Sequence, residues 1–68
     1  MLKENDVVKA KFDLTENIKK DTKGVILSVY DDGNIYLVEF FDDDNNTIGD
    51  GMDTVALKDI ELVWNSPQ

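Results

Sequence analysis

The chain contains no cysteine and no histidine, and its seven cationic residues are all lysine. Each absence removes a class of chemistry. Without cysteine there is no disulfide, no thiolate nucleophile and no thiolate metal site. Without histidine no side chain has an ordinary pKa near neutrality. Without arginine, and with no interleaving of basic and aromatic residues, nucleic-acid binding has little to work with. Catalysis would fall to carboxylates, lysine, serine, threonine and tyrosine. A chain of 68 residues has little means of building a cleft that tunes their pKa values. The inventory predicts no enzyme, no cofactor and no resident metal. No apolar run is long enough to span a bilayer. No basic stretch followed by an apolar run occurs near residue 1, so no secretory leader is expected and the expected location is cytoplasmic.

Sixty-eight residues leave room for a single domain, residues 1–68, with the tail 65–68 expected to fray. A chain this short buries only about 60% of the surface its unfolded form exposes. Its expected stability is roughly 3–5 kcal/mol unless something staples it.

What the chain does hold is negative charge, and it is unevenly placed. From residue 30 onward there are ten carboxylates against Lys58 alone, so this half carries 1 − 10 = −9. Residues 1–29 hold six lysines and five acids, for +1, and the total is −8. Such a field repels nucleic acid and anionic membrane and attracts basic partners. The lysines Lys9, Lys11, Lys19, Lys20 and Lys23 lack the arginines and interleaved aromatics of a nucleic-acid surface, and Lys9 and Lys11 fit the outer side of a strand, where they blunt edge pairing.

Alternation of apolar and polar residues predicts strands. Val8, Ala10 and Phe12 alternate with Val7, Lys9 and Lys11, with Phe12 expected in the core. Asp13 to Asp21 is polar and reads as a long loop pinned by Leu14 and Ile18. Gly24 opens the β-prone run Val25 to Tyr30. Asp31 to Asn34 is a turn, because Asp-Gly supplies the positive φ that hairpins need. In the strand Ile35 to Phe41, Tyr36, Val38 and Phe40 share one face, and Ile35, Leu37, Glu39 and Phe41 the other. Asp42 to Asn46 is a second turn. Thr47-Ile48 begins a strand that Gly49 and Gly51 interrupt with a bulge or bend. Thr54 to Leu57 resumes it, Lys58 to Ile60 fits one 3₁₀ turn, and Glu61 to Trp64 closes the fold. The order predicts an all-β, small five-stranded SH3-like antiparallel barrel with one 3₁₀ turn before the last strand.

The succession Asp6-Val7-Val8, Asp13-Leu14, Gly24-Val25-Ile26, Tyr30 to Gly33 and Tyr36 to Phe40 resembles an uncharacterised family of short bacterial proteins with an SH3-like barrel. The resemblance covers residues 5–63 and is most specific from Gly24 to Phe40. The stretch Gly49 to Asp53 is longer and more polar than the matching strand of that family, which leaves the register of the fourth strand open. Members of the family resemble the small cognate partners of bacterial toxin domains. The resemblance therefore implies an immunity or antitoxin-type inhibitor. Nuclease toxins are basic because their substrates are polyanions, and an acidic inhibitor can imitate that polyanion.

Several side-chain groups carry competing readings. Asp42, Asp43 and Asp44, with Asn46, Asp50 and Asp53, partly imitate a calcium loop. However, Thr47 stands where the sharp turn needs glycine, and strands flank the loop in place of helices. The same triplet reads as a solvated hairpin tip or as a docking patch for lysine and arginine. Leu37 and Phe41 flank Glu39 as an outward apolar patch, unless the long loop covers that face. Trp64 is either an exposed anchor or a lid over the end of the barrel. The combined expectation is a small acidic protein-binding module, monomeric or a weak dimer, that inhibits a basic toxin, sharpest as a nuclease. Its partner-binding residues are Asp31, Asp32, Leu37, Glu39, Phe41, Asp42, Asp43, Asp44 and Trp64. The alternative is a structural or adaptor module whose acidity serves solubility alone.

Overall fold

A computed structural model describes residues 2–49 and 51–67. Five antiparallel strands form one sheet: β1 Val7–Ala10, β2 Lys23–Tyr30, β3 Ile35–Phe41, β4 Asp53–Ala56 and β5 Ile60–Trp64, in the spatial order β4-β3-β2-β1-β5. The strands are rich in valine, isoleucine and aromatics, which suit a pleated, half-buried surface. The alternation in β3 is realised: Tyr36, Val38 and Phe40 are buried, while Ile35, Leu37, Glu39 and Phe41 are half-buried on the opposite face. With Val8, Ala10, Ile18, Ile26, Val55 and Ile60 they make the core.

The sheet is not closed, because no ladder joins β4 to β5 among the described residues. Leu14 and Ile18 of the long loop lie beside Asp53, Thr54, Val55 and Asp59, on the side where those two strands do not meet. The loop is held by its own polar groups. The Thr15 hydroxyl accepts the Ile18 N–H at 3.0 Å, and the Asp13 carboxylate accepts the Lys20 N–H at 2.9 Å. The loop therefore covers the inner core and leaves the outer face of β3 half-buried.

The β2–β3 turn has the expected chemistry. Asp32 and Gly33 sit at φ 55 and 93, and the Asn34 N–H donates to the Asp31 carbonyl at 3.1 Å. Asp31 is also left-handed, at φ 53, a conformation Asp tolerates better than most residues. The buried Tyr36 hydroxyl donates to the Gly33 carbonyl at 2.7 Å and locks the turn to the core. The bulge in this pair falls at Leu27, between Ile26 and Ser28. Gly24 is required by proximity: a Cβ there would lie 2.6 Å from Val38 Cγ1 and 2.9 Å from the Glu39 carbonyl.

Four expectations are corrected. Phe12 is 58% exposed, because the ladder to β5 ends one residue before it: the Lys11 N–H donates to the Asp59 carbonyl at 2.9 Å in register, and the 3₁₀ turn Leu57–Asp59 leaves no strand opposite Phe12. The 3₁₀ turn spans Leu57–Asp59, one residue early, with the Asp59 carboxylate accepting the Ala56 N–H at 3.1 Å. The strand expected from Thr47 is a single bridge to Phe41, and the ladder resumes at Asp53 opposite Val38. Asp50, at the centre of that interruption, lies outside the described residues. Finally, the tail does not fray at Ser66, which is buried.

Ser66 is held by Asp6, a fully buried carboxylate. Asp6 accepts the Ser66 N–H at 2.7 Å, the Lys3 N–H at 3.0 Å and the Lys3 ammonium at 2.9 Å. Burial alone would raise the Asp6 pKa. The Ser66 N–H and the two Lys3 donors outweigh it and hold the carboxyl below its ordinary value. One side chain thus ties the segment before β1 and the segment after β5 to the start of β1.

Candidate protein-binding surface

The two acidic turns are not one patch. Asp31 and Asp32 sit before β3, and Asp42, Asp43 and Asp44 sit after it. The seven residues of β3 hold them about 20 Å apart at the usual rise per strand residue. The molecule measures 28 × 21 × 19 Å, so the turns lie toward opposite ends. The expected contact surface using all of these carboxylates at once is divided by this geometry.

Within the second turn the acids have different jobs. Asp42 Oδ1 accepts the N–H groups of Asp44 and Asn46, both at 2.9 Å, and so builds the turn. Asp43 and Asp44 are exposed, and no ion pair engages them among the described residues. Glu39 accepts the Thr47 hydroxyl at 2.7 Å, which fixes its carboxylate beside the turn. The two ion pairs among the described residues are Lys3–Asp6 at 2.9 Å and Lys9–Asp21 at 3.6 Å. Both lie within residues 1–29. The acidic half of the chain therefore keeps its field unneutralised.

The outer face of the sheet brings the apolar candidates into order, since directly opposed residues on antiparallel strands share a face. Glu39 opposes Val25, Val25 opposes Val7, and Val7 opposes Trp64. In the next row Phe41 opposes Lys23. Trp64 is 53% exposed, so it is an outer-face residue and not a lid. Leu37 lies in another row, opposite Ser28 and Thr54, and is half-buried. Glu39, Phe41, Asp42 and Asp43 are thus brought together, Leu37 lies next to Glu39 on the same face of β3, Trp64 stands at the far end of the Glu39 row, and Asp31 and Asp32 lie beyond the other end of β3.

A groove of about 680 Å³ opens beside the second turn. Val7, Val25, Phe41 and Ile48 line its apolar part. Asp42 and Asp43 stand on one side, and Asn17 and Asp21 of the long loop also line it. Asp21, Val7, Val25 and Ile48 were not among the expected site residues. The available signal was phase: Val7 and Val25 are apolar at positions where alternation with Val8 and Ile26 calls for polar residues. No group of three or more acidic side chains converges as a metal site among the described residues. No described helix is long and apolar enough to cross a membrane. No protein-family model, curated protein or solved structure matches this chain.

Proposed function

We propose that this protein is a small acidic protein-binding module with a basic partner, and that it acts as an immunity or antitoxin-type inhibitor of a toxin, in its sharpest form a nuclease. The observation that carries the reading is the segregation of charge. Both ion pairs of the described residues use acids from residues 1–29, and Asp43 and Asp44, which no ion pair engages among the described residues, are exposed on a turn that Asp42 braces. A fixed field of that kind accelerates encounter with lysine and arginine surfaces and repels nucleic acid. The strand order, the long β1–β2 loop and the 3₁₀ turn before β5 support an SH3-like arrangement, with the long loop completing a barrel on the open side. In this reading the protein is not an enzyme, works in the cytoplasm, and is a monomer or a weak dimer.

The test is kinetic. A partner is captured from the native host, and its nuclease activity and association rate are followed with the intact protein and with Asp42, Asp43 and Asp44 all changed to Asn. Asparagine keeps the oxygen that Asp42 uses to build the turn. Nuclease activity should fall when the intact protein is added. The association rate should drop about tenfold on moving from low to physiological salt, and about tenfold at low salt in the variant. A partner that associates equally fast under all these conditions would support the adaptor alternative and remove electrostatic docking.

A further inference from the structure

We infer that the groove beside the second turn receives a bulky aliphatic side chain of the partner, flanked in that partner by lysine or arginine. The inference rests on the acidic-docking reading and adds where the partner seats and what it presents. The apolar part explains the aliphatic group. Val7 and Val25 face each other on adjacent strands, Phe41 lies on the same side of the sheet, and Ile48 packs from the turn. All four are half-buried and line an open groove of about 680 Å³. A leucine-sized group placed there leaves water along with them.

The rims explain the flanking cations. Asp42 and Asp43 border the groove at the turn, and Asp21 borders it from the long loop. Glu39, opposite Val25, adds a carboxylate on the same sheet face. The Asp21 carboxylate is shared with Lys9 at 3.6 Å, and Lys23 lies on the groove wall. Incoming cations are therefore directed toward the Asp43 side, where no lysine is engaged among the described residues. An anionic segment would meet the opposite field and is excluded by it.

Lys23 supplies a sign test. It is exposed and opposes Phe41 across the ladder, so its change to Gln leaves the fold intact. Amide spectra of the ¹⁵N-labelled protein are recorded while an acetylated pentapeptide with leucine between two arginines is added at low salt. The expected result is that the amides of Val25, Phe41, Asp43 and Ile48 shift together. Replacing the peptide leucine with serine should weaken binding about tenfold. Lys23→Gln should tighten it about twofold, and Asp43→Asn should weaken it about twofold to threefold. Two results overturn the groove assignment while acidic docking survives: shifts centred on Asp31 and Asp32, or equal binding of the leucine and serine peptides. Tighter binding of a glutamate-flanked peptide, or no response to either arginine peptide, overturns the groove and the acidic reading together.

Discussion

Asp6 shows how much a single buried residue can carry in a chain of 68. It receives the Ser66 N–H, the Lys3 N–H and the Lys3 ammonium, so truncating it strands the buried Ser66 N–H as well as removing a charge. Asp6→Ala should cost about 2–4 kcal/mol, a large part of what so small a core supplies. Asp6→Asn keeps an acceptor for Ser66 and should cost less. The pH dependence follows from the lowered pKa. A carboxyl whose pKa is depressed on folding adds stability above its unfolded pKa and loses it as pH falls through the folded value. The gap in melting temperature between the intact protein and Asp6→Asn should therefore be full at pH 7 and shrink below about pH 4. A gap that widens in acid would contradict this assignment. Gly24 makes a second residue-scale prediction. Its missing Cβ lets β2 lie against Val38 and the Glu39 carbonyl, both fixed in the sheet. Gly24→Ala should destabilise by about 2 kcal/mol, measured by urea unfolding.

At the scale of elements, β2, β3 and both turns were legible because their signals are local. The period of two in Ile35 to Phe41 places the residues of β3 on the correct faces. The Asp-Gly pair marks the first turn because only certain residues accept the φ values of 55 and 93 found there. What was not legible depends on contacts between distant segments. Phe12 continues the alternation of β1 but has no strand opposite it, because the opposing segment, about 46 positions along the chain, is in the 3₁₀ turn Leu57–Asp59. Ser66 is ordered by Asp6, and nothing local in an Asn-Ser-Pro tail announces that. In the candidate site the acids were easy to find and their roles were not. Asp42, Asp43 and Asp44 look equivalent in sequence, yet only Asp42 accepts two backbone N–H groups. Asp42→Ala should cost about 1 kcal/mol by releasing those donors. Asp43→Ala should be neutral or slightly stabilising, since it removes an unpaired charge from a crowded turn. Thermal melts of the two variants in one buffer measure the difference, and equal losses would show that the turn does not hang on Asp42.

For the whole molecule, the uneven charge has a consequence for stability that needs no partner. Ten carboxylates crowd the chain from residue 30 onward, with Lys58 alone against them. The two ion pairs of the described residues do nothing to offset them. Folding brings these charges closer than the unfolded chain does, so the native state carries repulsion that salt can screen. Separation of the two acidic turns by the length of β3 keeps each local field strong while limiting the cost of placing both in one molecule. Raising sodium chloride from 0.02 M to about 0.5 M shortens the screening length from roughly 20 Å to about 4 Å, which reaches charges within a turn as well as between turns. Stability should rise by about 1 kcal/mol, equivalent to roughly 4–8 °C in melting temperature for a domain of this size. Calcium at matched ionic strength should add nothing further, because the charges act as a field and no three acidic side chains converge among the described residues. A melting temperature that falls with sodium chloride would mean that attractive pairs outweigh repulsion. A rise specific to calcium would make the second turn an ion-binding loop and withdraw its carboxylates from the proposed docking role.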